Sequence, residues 1–371
     1  MTAFNDRTRL TGLLILFIID FRSGELNMGK MKYIASRIRK MNFGTMGTLA
    51  QGVSDRTGKP KPFVMLDMIW CGFRYQAGYT DYALFHMDRA NAAQRKTYVT
   101  RGVNDRLVSR FNDAAYRHIF VNKDEFNETF SAFLGRDWMK IAYPETEGYD
   151  AAAEADKLAS FCRGKDEIVA KPRDGMCGKG VEMLRPADFS DAAEMYARLQ
   201  SEGTGIVEEK IIQHPDMARL YPGSINTLRM VTLNNGKTIT LVLAICRIGN
   251  GGKVDNFLSG GMMTRIDIAT GKLQYVCVDE QNRTYETHPI TGTPFVGYPI
   301  PMWDECVAFA KRAAAVVPQV GYVGWDLAVT PDGPVLVEGN EFPGHCLYQL
   351  PPHTPDNCGV LPLFRQAIDE K

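Results

Sequence analysis

The spacing of apolar positions changes character near residue 137. Upstream, apolar residues recur at helical intervals, as in Phe63, Leu66, Ile69, Trp70 and Phe73, and again in Val103, Leu107, Val108 and Phe111. That period predicts helices to about residue 136. Downstream, short apolar runs bounded by Gly, Pro and Asp predict strands, with longer amphipathic stretches between them. A helix over 151–163, strands over 167–172 and 180–185 and a helix over 189–200 form one lobe. Strands near 205–211, 227–234, 238–248, 262–268 and 273–279, a helix over 302–317 and strands over 321–330 and 334–340 form a second. The class is α+β, divided into a helical region at 28–136, a first lobe at 137–204 and a second at 205–371.

The front of the chain stands apart. Leu13 to Phe21 is apolar but interrupted by Asp20, and too short to span a bilayer. Phe21 to Glu25 makes a poor cleavage site. Residues 1–27 read as a non-native or disordered extension ahead of a start at Met28 or Met31, the rival being an amphipathic anchor.

Composition narrows the function classes. Lys plus Arg and Asp plus Glu are 43 each in 371 residues, so charge gives no reason to expect a nucleic-acid or membrane-surface partner. The eight cysteines at 71, 162, 177, 246, 277, 306, 346 and 358 form no C-x-x-C pair. Without a secretory signal they read as reduced thiols of a cytoplasmic protein with no stable membrane insertion, a homo-oligomer being allowed.

Two segments carry candidate chemistry. IVAKPRDGMCGKGVEML at 168–184 places Lys171 at the end of an apolar strand, since Pro172 cannot continue a central ladder. Gly175, Gly178 and Gly180 then allow a turn whose backbone N–H groups approach phosphate oxygens, although an ordinary hairpin loop would look the same. It is not a Walker A loop, because only two residues separate Gly175 from Gly178 and Lys179 precedes Gly180. In GYVGWDLAVTPDGPVLVEGNEFPG at 321–344, Pro331-Asp332-Gly333 supplies a turn between two strands. Period-two alternation puts Glu338 and Asn340 on one side, and an antiparallel hairpin brings Asp326 beside them. Carboxylates converging from apolar strands call for a cation such as Mg²⁺; the alternative is solvent-facing polar residues of an exposed sheet.

This order of strand lysine, glycine loop, Glu-rich segment and Asp…Glu-x-Asn resembles the ATP-grasp superfamily, and within it the sugar-transfer-associated branch, over roughly residues 110–350. The resemblance implies an ATP-grasp fold, two α+β lobes sandwiching ATP with Mg²⁺ on the second, preceded here by helices where many members have a Rossmann-like domain. By that resemblance Lys171 and Lys123 contact phosphates. In GIVEEKIIQHPDM at 205–217, Glu209 faces the adenine, Lys210 and Ile212 present backbone groups to it, and Asp216 takes the ribose hydroxyls.

NTLRMVTL at 226–233 and ICRIGNGGKVDNFLSGGM at 245–262 are similar to a block of the RimK-like glutamate ligases. On that likeness Arg229, Arg247 and Asn256 surround the γ-phosphate and the acceptor carboxylate, a task that suits the planar arginine fork. One position departs: D-alanine ligases carry an arginine two residues before the metal-binding aspartate, where this chain has Gly324. An arginine for the oxyanion must come from Arg247 or Arg229.

The resemblance implies a carboxylate–amine ligase acting on small molecules through an acyl phosphate, in a cell-surface polysaccharide context. A small-molecule kinase on the same scaffold, or a nucleotide-binding scaffold without turnover, are the alternatives. In the helical region, Tyr75, Tyr79, Tyr82 and Arg89 either line an acceptor site or pack between helices, packing being the plainer account.

Overall fold

The computed structural model describes residues 41–173 and 180–370. Gly175, Cys177 and Gly178, the extension at 1–27 and the starts at Met28 and Met31 lie outside the described residues.

The chain divides into two compact units, one holding the described residues up to Arg95 with Thr100–Gly102, the other Lys96–Val99 with everything from Val103 onward. The first is helical. Asn42 accepts from the Thr45 N–H at 3.1 Å to start Phe43–Thr57, and left-handed Gly58 ends it. In Lys61–Tyr75 the buried side chains are Val64, Met68, Ile69 and Cys71, while Phe63 is 68% exposed. The face expected from Phe63 is therefore displaced, because this helix is apolar nearly all round and periodicity alone does not choose its inner side. Tyr82 is buried and donates to Asp67 at 2.7 Å, so it packs within the unit.

The second unit contains two antiparallel sheets. β1 (Trp138–Lys140), β2 (Ile168–Pro172), β3 (Glu182–Leu184) and β4 (Thr204–Glu209) make the first, in the order β1-β4-β2-β3. Helices Ala151–Cys162 and Ala192–Ser201, capped by Asp150 and Asp191, pack Leu158 and Leu199 with Ile168 and Val207. β4 was expected to open the second lobe, and it is an interior strand of the first. The reason is β1, a three-residue strand too short to show a pattern, which gives β4 its second neighbour.

The second sheet is built from β5 (Leu228–Asn234), β6 (Ile239–Ile248), β7 (Met262–Asp267), β8 (Lys272–Leu273), β9 (Cys277–Asp279), β10 (Thr284–Tyr285), β11 (Tyr322–Thr330) and β12 (Gly333–Asn340). Its order is β10-β9-β7-β6-β5-β11-β12, with β8 on β7. The single strand expected at 273–279 is thus two, β8 and β9.

One face buries Leu228, Met230, Cys246 and Trp325 against Trp303–Ala314 and the Phe120, Phe126 and Phe130 cluster. The other buries Val231, Leu233, Leu243 and Tyr322 against Leu107, Val108 and the C-terminal helix Leu361–Asp369. Residues 103–136, expected in a separate helical region, belong to this unit. Beyond the apolar part of that second face lies a row of charge.

Candidate active site

Side chains directly opposite one another on antiparallel strands share a face. Glu338 on β12 pairs with Asp326 on β11, Asp326 with Arg229 on β5, and Arg229 with Ile245 on β6. Two residues on, Gly324 pairs with Asn340. The hairpin expected from Pro331-Asp332-Gly333 therefore forms in the register that gathers Asp326, Glu338 and Asn340. Arg247, two beyond Ile245, joins the same face.

Asp326 is fully buried and held by two guanidinium groups. Arg229 donates from Nε to Oδ1 and from Nη2 to Oδ2, the latter at 2.9 Å. Arg247 Nη2 donates to the same Oδ2 at 2.5 Å. Burial alone would push the Asp326 carboxyl up, but Arg229 and Arg247 hold it well below the ordinary carboxylate range. Glu338 moves the other way: the protein around its carboxyl and the neighbouring Asp326 charge raise its pKa. Glu338 stays exposed to solvent beside that charge.

Arg247 is itself braced. Its Nε donates to Thr227 Oγ1 at 2.9 Å, and Asp255 Oδ2 accepts from the Thr227 N–H at 2.8 Å and hydroxyl at 2.5 Å. Asn256, the expected site residue, caps the turn Phe257–Ser259 by accepting from the Leu258 N–H at 2.9 Å. The acid reaching toward the arginine is thus its neighbour Asp255, 3.8 Å from Arg247 Nε.

The first sheet supplies a second charged cluster. Val169 pairs with Glu208, which sets Lys171 diagonal to that acid, and Lys171 Nζ lies 2.6 Å from Glu208 Oε2. Arg136 forks onto the same carboxylate at 2.9 and 3.1 Å, and Asn127 donates to it at 3.0 Å. Burial opposes ionisation of Glu208, yet Lys171 and Arg136 outweigh it and hold the group down at about 2. Arg136 also donates to the Leu336 carbonyl at 2.6 Å, tying this cluster to the strand that carries Glu338 and Asn340.

The other expected nucleotide residues are spread over nearby elements. Lys123 begins the helix Lys123–Thr129. Glu209 turns away from Glu208 and accepts from the Asp137 N–H at 3.3 Å. Lys210 pairs with Glu167 at 2.5 Å, and Ile212 is 65% exposed. Asp216 sits in the first turn of Pro215–Leu220, where its carbonyl accepts from Tyr298 at 2.5 Å. It lines an open groove of about 670 Å³ with Arg219 and the loop from Thr291 to Pro299. Thr291 and Thr293 of that loop donate to the Leu220 and Arg219 carbonyls at 3.0 and 2.7 Å, so the loop lies against this short helix.

Sequence reasoning missed Glu208, Arg136, Thr227 and Asp255. Only Glu208 left a signal, as the acid beside Glu209 on a strand whose alternate side chains face Lys171. The seven described cysteines are free thiols. No helix among the described residues is long and apolar enough to cross a membrane.

A family model described as sugar-transfer associated ATP-grasp matches residues 102–355. No curated protein matches the chain. Among solved structures, the chain is similar to the ATP-grasp ligase PsnB complexed with a phosphomimetic variant of its minimal precursor, Mg and ADP, at 13% identity, 70% of this chain, 60% of that one and a TM-score of 0.38. The D-cycloserine synthetase DcsG matches at 16% identity over 72% of this chain and 76% of its own, TM-score 0.40. The D-alanine–D-alanine ligase from Bacillus anthracis complexed with ATP matches at 16%, over 68% and 65%, TM-score 0.38. The chain spans less than two thirds of the length of the PsnB structure, 60%.

Proposed function

The chain belongs to the sugar-transfer associated ATP-grasp family, and from that membership we propose that it is an ATP-dependent ligase joining a small-molecule carboxylate to an amine through an acyl phosphate. The observation that carries this reading is the Asp326 carboxylate clamped by Arg229 and Arg247 and opposed by Glu338. A carboxylate fixed between two buried guanidinium groups gives an electrostatically prepared surface for phosphate and carboxylate oxygens.

The donors on the hairpin fit magnesium. Asp326 and Glu338 face each other so closely that one raises the other's pKa, and Asn340 adds an amide two residues along. These are hard oxygen donors. Magnesium held there would neutralise charge on the phosphate oxygens.

In the first step a carboxylate oxygen of the acceptor attacks the γ-phosphorus, a P–O bond forms, and the bond to the β-phosphate oxygen breaks to release ADP. Arg229 and Arg247 hold the acceptor and γ-phosphate oxygens, with Asn256 shaping the turn beside them. Lys171, oriented by Glu208, and Lys123 meet the phosphates. Glu209 and the backbone of Lys210 and Ile212 receive the adenine, and Asp216 the ribose. In the second step the amine attacks the acyl carbon, the C–O bond to phosphate breaks, and the amine gives up a proton. Positioning and charge neutralisation are what phosphoryl transfer requires of a protein. We place the activity in the cytoplasm, in cell-surface polysaccharide synthesis, in keeping with the sugar-transfer description of the family.

A screen of amino acids and uronic acids for acceptor-dependent ADP release tests the reading. Release that needs both a carboxylate and an amine supports it. A stable phosphorylated product formed without amine would make the protein a kinase, and binding of Mg-ATP with no release under any acceptor would make it a scaffold.

A further inference from the structure

Arg265 stands on the same face as the arginine clamp. β7 sets Met263 opposite Arg247 and Arg265 opposite Ile245. Arg247 and Arg265 are therefore diagonal neighbours on adjacent strands, with Cα atoms about 7–8 Å apart.

The Arg265 guanidinium is only partly exposed, yet it has no carboxylate within ion-pair distance among the described residues. Its Nη1 donates to the His353 carbonyl at 3.3 Å, and the group lies 5.8 Å from the centre of the Tyr275 ring. Arginine carries five donors in a rigid fork, so most of this one's capacity is unspent. Arg95, Arg136, Arg229 and Arg247 are each matched by a buried or half-buried acid. Burial pushes the Arg265 pKa down and the more distant Tyr275 and Asp356 oppose it only in part, where the acids in contact with Arg229 and Arg247 push theirs up.

The same stack contains a second unsatisfied group. His353 is fully buried, its ring 5.4 Å from that of Tyr275 at an angle of 28°. Its Nε2 lies 3.0 Å from the Val276 carbonyl, which can only accept, so the proton sits on Nε2. Nδ1 is then a buried acceptor with no partner among the described residues. A fork of donors one strand beyond Arg247, backed by an aromatic ring, is a place for an anionic ligand.

We propose that Arg265, with Tyr275 behind it, docks a second anionic group of the acceptor while Arg247 and Arg229 hold the reacting carboxylate. The acceptor is then a dianion, with a second carboxylate or a phosphate a few bonds from the first. This rests on the ligase reading above.

Calorimetric binding of defined probes to the full chain tests it: butyrate against the dicarboxylates succinate, glutarate, adipate and pimelate, with Mg-ADP present. At least one dicarboxylate should bind about tenfold or more tightly than butyrate, the scale of one charge-assisted fork. Arg265→Gln should erase that advantage while leaving butyrate affinity unchanged, and Arg265→Lys should keep part of it. Mg-ADP affinity equal to that of the parent shows that the variants are folded.

Equal binding of mono- and dicarboxylates, no dicarboxylate binding at all, or an advantage that survives Arg265→Gln would each overturn the proposal. Inorganic phosphate is the control for a lone anion. If its binding depends on Arg265 more than that of any dicarboxylate, the site docks product phosphate and the proposal falls. Arg265-dependent binding without ADP release from any acceptor would leave the subsite standing and remove the ligase reading. Release with simple monocarboxylates, indifferent to Arg265→Gln, would do the reverse.

Discussion

Arg229 crosses the face of Gly324 so closely that a β-carbon added to the glycine would stand 3.0 Å from the arginine's Cδ and 3.5 Å from Nη1. By the resemblance drawn from the sequence, Gly324 stands where D-alanine ligases carry an arginine. Here the absence of a side chain is what lets an arginine from the neighbouring strand lie across the spot and fork onto Asp326. Gly324→Ala should crowd Arg229 off that position, costing ~1–3 kcal/mol of stability by overpacking and lowering turnover. Urea unfolding and ADP release measure both effects, and parental values for the two would mean that Arg229 has room to spare.

Asp326 and Glu338 should respond differently to loss of charge. Asp326→Asn strips two buried guanidinium groups of their partner and should cost about 3–5 kcal/mol along with turnover. Glu338→Gln removes a carboxylate already repelled by Asp326, so it should abolish Mg-dependent turnover while leaving the melting temperature equal or higher. A Glu338→Gln protein that is both active and less stable would contradict the placing of these two acids at a shared cation.

Lys171→Ala should weaken ATP binding and slow turnover by roughly two orders of magnitude, since a preorganised charge is lost from the site. The fold should survive, because Arg136 and Asn127 still hold Glu208. ATP affinity equal to the parent's would remove Lys171 from the nucleotide site.

Glu208 sets an acid limit on stability. Its folded pKa lies below the ordinary 4.5, at about 2, so its contribution is complete above pH 4.5 and is lost as the pH falls from there toward 2. The loss should approach ~3 kcal/mol in the parent. Glu208→Gln should cost about 3–5 kcal/mol at neutral pH and flatten the stability profile across that acid window. Unfolding free energies measured from pH 2 to 7 check this, and a parallel slope in parent and variant would show that Glu208 is not the titrating group.

Arg247→Lys keeps a charge but loses the fork, and with it the simultaneous reach to Thr227 and Asp326. Turnover with the true acceptor should fall about a hundredfold while the ATP dissociation constant stays near the parent's. A raised ATP dissociation constant with an intact chemical step would make Arg247 a nucleotide residue.

By itself the sequence determined what local pattern can carry. The strand that carries Lys171, the hairpin through Pro331-Asp332-Gly333 and the gathering of Asp326, Glu338 and Asn340 all follow from alternation and turn chemistry within a few residues. Which acid serves Lys171 did not follow. Glu208 and Glu209 are adjacent, and only the pairing of β4 between β1 and β2 turns Glu208 inward. The clamp on Asp326 was equally hidden, since Arg229 and Arg247 lie 97 and 79 residues away in the chain. Alternation fixes which residues of one strand share a face, but not which strand meets which, nor in what phase. Register shifts between Val231 and Thr232 and between Asp326 and Leu327 each advance one strand by a residue and exchange the faces beyond them. Long-range pairing, set by packing of the whole sheet, therefore decided which of the polar residues named by the sequence came to share a face.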